Sequence, residues 1–326
     1  MRSFLQRALL FALIVGILAL GVDRALKHGL RQRTTDVFGV WNDLVQGRAR
    51  ARVLFTGSSR SLVHFDAAAI GEQIGAPCYN LGMDGTQLDL QLGRLRTYLA
   101  HHPAPDLIVQ EVDIISLEPD SGLYFPQQYV PYLNEPALYD AVRRNSPEQW
   151  KDRWIPLYPF LRHGIGLTLL AMKSLAGLED TLHDPVHLGF ELRDWKWEGS
   201  FDNFLKDHPN GVRYKESPQQ VATLRSLIRT ARQAGSRVAL CYAPELEENQ
   251  RITLNRTSIL DTFARIAHEE GVPFWDFSTA TLCADRQYFY NSQHLNAKGV
   301  ALLTPLVADS ITAMLARNDQ PSKAWP

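Results

Sequence analysis

Cysteine is scarce: Cys78, Cys241 and Cys283 are the only three in 326 residues, an odd number with no C-x-x-C pair. That excludes a disulfide framework and a thiolate zinc site, and leaves room for one bridge at most. An excess of one charge is missing as well. Lys and Arg number 34 against 35 Asp and Glu, a formal net charge of -1, and no basic stripe is interleaved with aromatics. A nucleic-acid partner is therefore not expected. There are no tandem repeats or low-complexity tracts, which excludes a repeat architecture. Nothing in the sequence calls for a metal or an organic cofactor.

What is present begins at the N-terminus. Arg2 and Arg7 precede an unbroken apolar run of 15 residues from Ala8 to Val22, followed by Asp23, Arg24 and Lys27. The run lies between the core of a signal peptide and a full membrane span. It has no polar face, which argues against a buried core helix of a soluble domain. Ala19-Leu20-Gly21 is a weak cleavage match, so an uncleaved signal anchor with the body outside the cytoplasm is the preferred reading. Arg24, Lys27, Arg31 and Arg33 weaken the charge argument for that orientation.

With 45% hydrophobic and 21% charged residues, the remainder can bury a large core, as one elaborated domain or two. Its rhythm is strand, helix, strand. V-L-F-T (53–56), C-Y-N-L (78–81), L-I-V-Q-E-V (107–112), R-V-A-L-C-Y (237–242) and P-F-W-D-F (273–277) read as short buried strands. Helices are expected between and after them over 65–74, 88–101, 218–234, 258–271 and 297–316. Such alternation indicates βαβ units and a three-layer α/β/α fold around a parallel sheet. The expected organisation is an anchor over 1–23, a charged neck over 24–50, an α/β body over 51–118 and 217–318, and an insertion over 119–216. The insertion is rich in aromatics and proline and carries four of the seven tryptophans, Trp150, Trp154, Trp195 and Trp197. Two readings stand for it: a lid or ligand groove, or a small helical subdomain whose rings pack on the sheet.

Two polar stretches fall where such folds place their chemistry, at the carboxyl ends of the strands. Gly57-Ser58-Ser59 follows the first strand. Serine there has an exposed hydroxyl and a backbone N–H near a helix start, although G-S-S is also a common turn and cap. His294 follows the last strand in Asn291-Ser292-Gln293-His294, just before the final helix. A neutral imidazole is the usual partner of a serine nucleophile, because its ordinary pKa of about 6.5 lets it take and return a proton near neutrality.

Together these stretches resemble the SGNH, or GDSL-like, hydrolase superfamily, with its serine in G-D-S after the first strand, a glycine after the second, G-x-N-D after the third and D-x-x-H before the last helix. The resemblance covers about 52–118 and 219–316 and implies a flavodoxin-like parallel sheet. It makes Ser59 the nucleophile, with Ser58 where an aspartate is usual, His294 the general base and Asn291 its orienting partner. It implies that the N–H groups of Ser59 and Gly82 form the oxyanion hole, and makes Arg60 and Asn80 candidates for substrate contact. The third motif is nearly absent, its place taken by Gln110-Glu111-Val112-Asp113. Asn291 can orient an imidazole but cannot supply the charge that stabilises an imidazolium, and Asp276 and Asp285 stand as alternative carboxylates.

G-S-S-R-S, N-x-x-H-L-N-x-K-G and the N-terminal apolar segment are similar to a narrower branch. These are membrane-anchored SGNH proteins of bacterial envelopes that accompany membrane-bound O-acyltransferases, such as the D-alanyl transfer protein of lipoteichoic acid synthesis and alginate-type acetyltransferases. That branch implies acyl transfer through a serine ester to a polysaccharide hydroxyl, a membrane-bound O-acyltransferase partner, and an inner-membrane location with the body in the periplasm or outside the cytoplasm. The competing reading is a non-catalytic glycan-binding or scaffold subunit that keeps the fold.

Overall fold

The computed structural model of the chain describes residues 2–119, 122–179 and 184–316. Positions 1, 120–121, 180–183 and 317–318 of the expected organisation lie outside the described residues. The chain divides into two compact units. One comprises 1–49, 92–102 and 120–184, and the other comprises 50–91, 103–119 and 185–326.

The second unit holds a five-stranded sheet. Its strands are β1 (Val53–Thr56), β2 (Cys78–Asn80), β3 (Leu107–Glu111), β6 (Arg237–Tyr242) and β7 (Phe274–Asp276), and a separate two-stranded hairpin supplies β4 (Val186–His187) and β5 (Phe190–Glu191). Sheet order is β2-β1-β3-β6-β7 with every pair parallel. This is the expected α/β class with a central parallel sheet. Alternation along the strands explains the layers. Val53, Phe55, Leu107, Val109, Ala239 and Cys241 point to one face, where Phe65, Ile70, Leu303 and Val307 cover them. Leu54, Ile108 and Leu240 are buried on the other, and helices Pro218–Gln233 and Arg256–Glu270 pack on β6. The order reverses between β1 and β3, and the crevice outside the strand ends at such a switch point is where doubly wound sheets bind ligands.

The first unit departs from the expected anchor-and-neck organisation. Helix Arg2–Leu30 runs unbroken through position 23, with Phe4 to Val22 largely exposed and Asp23, Leu26 and Leu30 buried. Positions 24–50 form no free charged neck: helix Asp36–Val45 buries Phe38, Trp41 and Leu44. Gly29 meets helix Ile165–Leu175 so closely that a Cβ would lie 2.4 Å from the Ala171 carbonyl oxygen. The expected insertion is also split, with 120–184 in the first unit and 185–216 in the second. The sequence could not announce this division, because it depends on which apolar faces meet. Among the described residues, two helices are long and apolar enough to cross a membrane, Ser3–Leu30 and Ala297–Ala316. The second is a core helix whose Val300, Leu303, Val307 and Ile311 are buried in the sheet's apolar cluster.

Candidate active site

β1 ends in Gly57, whose φ of +152° and crowding admit no side chain: a Cβ would lie 2.7 Å from the Glu111 side chain and 2.8 Å from Ser61 Cβ. The chain therefore turns tightly off the strand into helix Ser59–His64, with Ser58 as its cap. Ser58 Oγ accepts the Arg60 N–H at 3.2 Å. Ser59 is the first helical residue, so its own N–H has no intrahelical acceptor.

Ser59 Oγ lies 2.8 Å from His294 Nε2. On the far side of the ring, His294 Nδ1 is 2.9 Å from Asn291 Oδ1. That amide oxygen also accepts the backbone N–H groups of Gln293 at 3.1 Å and His294 at 3.0 Å. Two backbone donors fix which end of the amide is oxygen, so Nδ1 carries the proton and Nε2 is left to accept from the serine hydroxyl. Burial, then the charges of Arg60 and Arg193, push the His294 pKa down to about 3. The imidazole is neutral at any physiological pH. The alternative carboxylates do not reach it: Asp276 accepts the Ser278 N–H at 2.9 Å and Asp285 that of Gln287 at 2.9 Å, both local turn contacts.

Three expected roles are not supported by the geometry. Asn80 is fully buried; its amide donates to the carbonyls of Ser61 at 2.7 Å and Phe65 at 2.9 Å, and its oxygen accepts the Gly82 N–H at 2.8 Å and the Ser61 hydroxyl at 3.3 Å. It therefore ties the loop after β2 to the serine helix and has nothing left to offer a substrate. The same bond occupies the Gly82 N–H expected in the oxyanion hole. The role of Gly82 is close approach, since a Cβ there would sit 2.2 Å from the Leu62 nitrogen. Arg60 is 2% exposed. Its guanidinium donates to the carbonyls of Ala243 and Pro244, lies 4.9 Å over the Tyr242 ring and is 3.9 Å from Glu111. It is a buried cation beneath the site, and its positive charge helps keep His294 neutral.

The sequence reading missed the carboxylates under the serine turn. Ser58 donates its N–H to Glu111 Oε2 at 3.2 Å, and its hydroxyl lies 3.1 Å from the same oxygen and 2.7 Å from Asp113 Oδ2. One hydroxyl proton cannot serve two carboxylates. Burial, with Asp113 adding, pushes Glu111 up to about 8 against the pull of Arg60 and Ser58. The Ser58 hydroxyl is therefore shared between the two acids, with the shorter contact to Asp113. Two acids in Glu111-x-Asp113 at the end of a buried strand were the available signal.

Two further partners support the histidine. His64, fully buried at the end of the serine helix, accepts the Leu295 N–H at 3.0 Å through Nε2, joining that helix to the histidine loop. Tyr290 stacks on His294 with centroids 5.4 Å apart and planes 6° apart. Arg193 holds the tyrosine hydroxyl at 3.4 Å while paired with Glu191 at 2.7 Å and with Asp84. Beside His294 opens a cleft of about 310 Å³ lined by Phe201, Phe204, Tyr214, Asn249 and Asn291, among others, of a size that takes a small ligand or part of a larger one.

No protein-family model and no curated protein matches the sequence. Among solved structures, the chain is similar to a lipase/acylhydrolase from Enterococcus faecalis, at 12% identity and TM-score 0.42 over 80% of this chain and 95% of that one. It is similar also to a GDSL-like lipase from Bacteroides thetaiotaomicron, at 11% identity and TM-score 0.40 over 86% of this chain and 100% of that one. The chemistry of the site rests on its side-chain distances.

Proposed function

We propose that the protein is a serine acyl-transfer enzyme of the SGNH type, an O-acyltransferase or esterase acting on a cell-surface or extracellular polysaccharide. The observation that carries this reading is the continuous chain from Ser59 Oγ to His294 Nε2 at 2.8 Å and from His294 Nδ1 to Asn291 Oδ1 at 2.9 Å. In the first half-reaction the Ser59 oxygen attacks an acyl ester carbonyl as its proton passes to His294 Nε2. The tetrahedral intermediate then expels an alcohol that takes that proton, leaving acyl-Ser59. In the second, His294 accepts a proton from a glycan hydroxyl or from water, which attacks the acyl-serine, and the proton returns to Ser59 as it leaves. In this mechanism the Ser59 N–H, without an intrahelical acceptor at the helix start, serves as a backbone donor to the oxyanion.

The N-terminal helix serves as a single-pass anchor in a bacterial inner membrane, with the body in the periplasm or outside the cytoplasm. Support comes from its composition and exposure: mean hydropathy is 2.2 in its most apolar window, and none of that window is buried. A membrane-bound O-acyltransferase partner as acyl source follows from the sequence resemblance. A second reading, a non-catalytic glycan-binding or scaffold subunit, is favoured by one observation: the partner of His294 is an amide, and no carboxylate meets the ring among the described residues.

Turnover of p-nitrophenyl acetate by the purified chain separates the two. Ser59→Ala is expected to lower it on the order of 10⁴-fold or more, as loss of a catalytic serine does in other enzymes. Equal turnover by the variant would assign any activity elsewhere and leave the scaffold reading. Transfer of acetyl to a polysaccharide rather than to water, followed by acetyl-ester content, tests the acceptor.

A further inference from the structure

The first unit carries an apolar surface that the acyl-transfer chemistry does not use. Helix Ile165–Leu175 buries Leu167, Ala171 and Ser174, and Gly29 of the N-terminal helix packs against Ala171 and Leu175. Its opposite stripe is open. Ile165 is 70% exposed, and Leu169 and Met172, four and seven residues on, are 49% and 54% exposed. That spacing is one helical face. Leu161, at 81%, and Trp154, at 65%, are exposed on the two preceding helices, with Trp150 beyond. The helices bearing these residues, Gln149–Trp154, Tyr158–Arg162 and Ile165–Leu175, pack on one another in turn, and exposed apolar side chains gathered on neighbouring helices point to an interaction site.

Its position identifies the occupant. The exposed apolar part of the N-terminal helix ends at Val22, and the next residue, Asp23, accepts the Leu157 N–H at 3.0 Å. One turn further on, Lys27 donates to the Asp152 carbonyl at 3.2 Å. The segment bearing Trp150, Trp154 and Leu161 is thus held at the level where the helix would leave a bilayer. Tryptophans beside aliphatics, with Lys151, Arg153, Arg162 and Lys173 against the single acid Asp152 over 150–178, have the composition of a surface lying in the headgroup region of an anionic membrane. Arg153 packs over the Trp154 ring at 4.7 Å, an arrangement that keeps the cation at the polar edge of an apolar patch.

We propose that this edge, from Trp150 to Ile165, is a monotopic membrane-seating surface that lies in the headgroup-to-acyl boundary around the N-terminal helix. The chain would then hold the membrane in two ways, by a span and by a collar that limits how the first unit can tilt on it. The inference rests on the N-terminal helix spanning the bilayer.

The test uses the full chain in vesicles of phosphatidylcholine with a minor share of phosphatidylglycerol, with one nitroxide label at a time. The native thiols are all buried, so labelling is confined to introduced cysteines. Labels at Trp154→Cys, Leu161→Cys and Ile165→Cys are expected to collide with oxygen in preference to an aqueous nickel chelate, several-fold more than a label at Asp140→Cys on a polar exposed position. Ile14→Cys reports on the span itself. If Ile14→Cys is in the bilayer while the three collar labels are open to the chelate, the collar is overturned and the span stands. If Ile14→Cys is also open to the chelate, the anchor reading fails and takes the collar with it. If the collar labels are shielded in native membranes but open in lipid vesicles, the occupant is a protein and the lipid proposal falls.

Discussion

Asn291 is the residue on which the chemistry turns. Its oxygen holds the imidazole through Nδ1, but an amide leaves the imidazolium uncompensated, and burial with Arg60 and Arg193 already presses the His294 pKa to about 3. A base so weak orients the serine proton well and takes it poorly. Asn291→Asp keeps the acceptor that receives three N–H groups and adds the missing charge. It is expected to raise p-nitrophenyl acetate turnover roughly 10- to 100-fold, part of the ~10⁴ that the reverse change costs in a serine protease. An opposite charge favours the charged form of the ring, so the acid limb of the pH–rate profile moves up from near pH 3 towards the ordinary histidine range. A limb that stays in place would show that the new carboxylate does not reach the ring. Ser59, His294 and Asn291 could be singled out in the sequence because the polar stretches after the strands match the SGNH motifs, and the structure brings the three side chains together. Asn80 and Arg60 were misjudged because nearness in sequence to a motif does not reveal which way a side chain turns, and both turn inward.

At the scale of elements, the site depends on how closely the loop after β2 approaches the serine helix. Asn80 bonds helix carbonyls, and Gly82 leaves no room for a methyl group against the Leu62 backbone. Gly82→Ala must therefore separate loop from helix or leave the Asn80 bonds unmade. Overpacking of this kind costs about 3 kcal/mol, and a lower thermal midpoint should come with a loss of turnover exceeding the loss of folded protein, because Ser59 moves with its helix. A midpoint unchanged from the parent would mean that the loop yields freely. The hairpin β4–β5 is tied to the same place by the Asn80 N–H, which donates to the Leu188 carbonyl at 2.9 Å, and the chain leaving it delivers Arg193 to Tyr290 beside His294. Strands of two residues and a pairing between 80 and 188 leave no periodic trace in the sequence, so this support was invisible there.

For the whole molecule, the buried titrating groups of the site set the dependence of stability on pH. Glu111 is raised from 4.5 to about 8 in the folded state, so its contribution is fully present below 4.5 and is lost as pH rises through about 8. His294 is lowered from 6.5 to about 3, and His64 well below 6.5, so theirs are present above 6.5 and lost as pH falls. With two histidines opposing one carboxyl below pH 6.5, and the carboxyl alone acting above it, the thermal midpoint is expected to peak near pH 6.5 and fall on both sides. Glu111→Gln should flatten the alkaline fall; an equally steep fall in that variant would assign it to other groups. By itself the sequence determined the sheet, because short apolar runs alternating with amphipathic helices have few ways to be buried. It determined the apolar N-terminal helix, because composition alone sets that, and it placed the G-S-S and His294 stretches after strands of one sheet, while the choice of Ser59 as partner of His294 came from the resemblance to the SGNH motifs. Only the tertiary structure decided that 120–184 joins the N-terminal helix while 185–216 joins the sheet, and that Glu111 and Asp113 lie beneath the serine turn. The same holds for the inward turn of Arg60 and Asn80, since each depends on contacts between residues far apart in the chain.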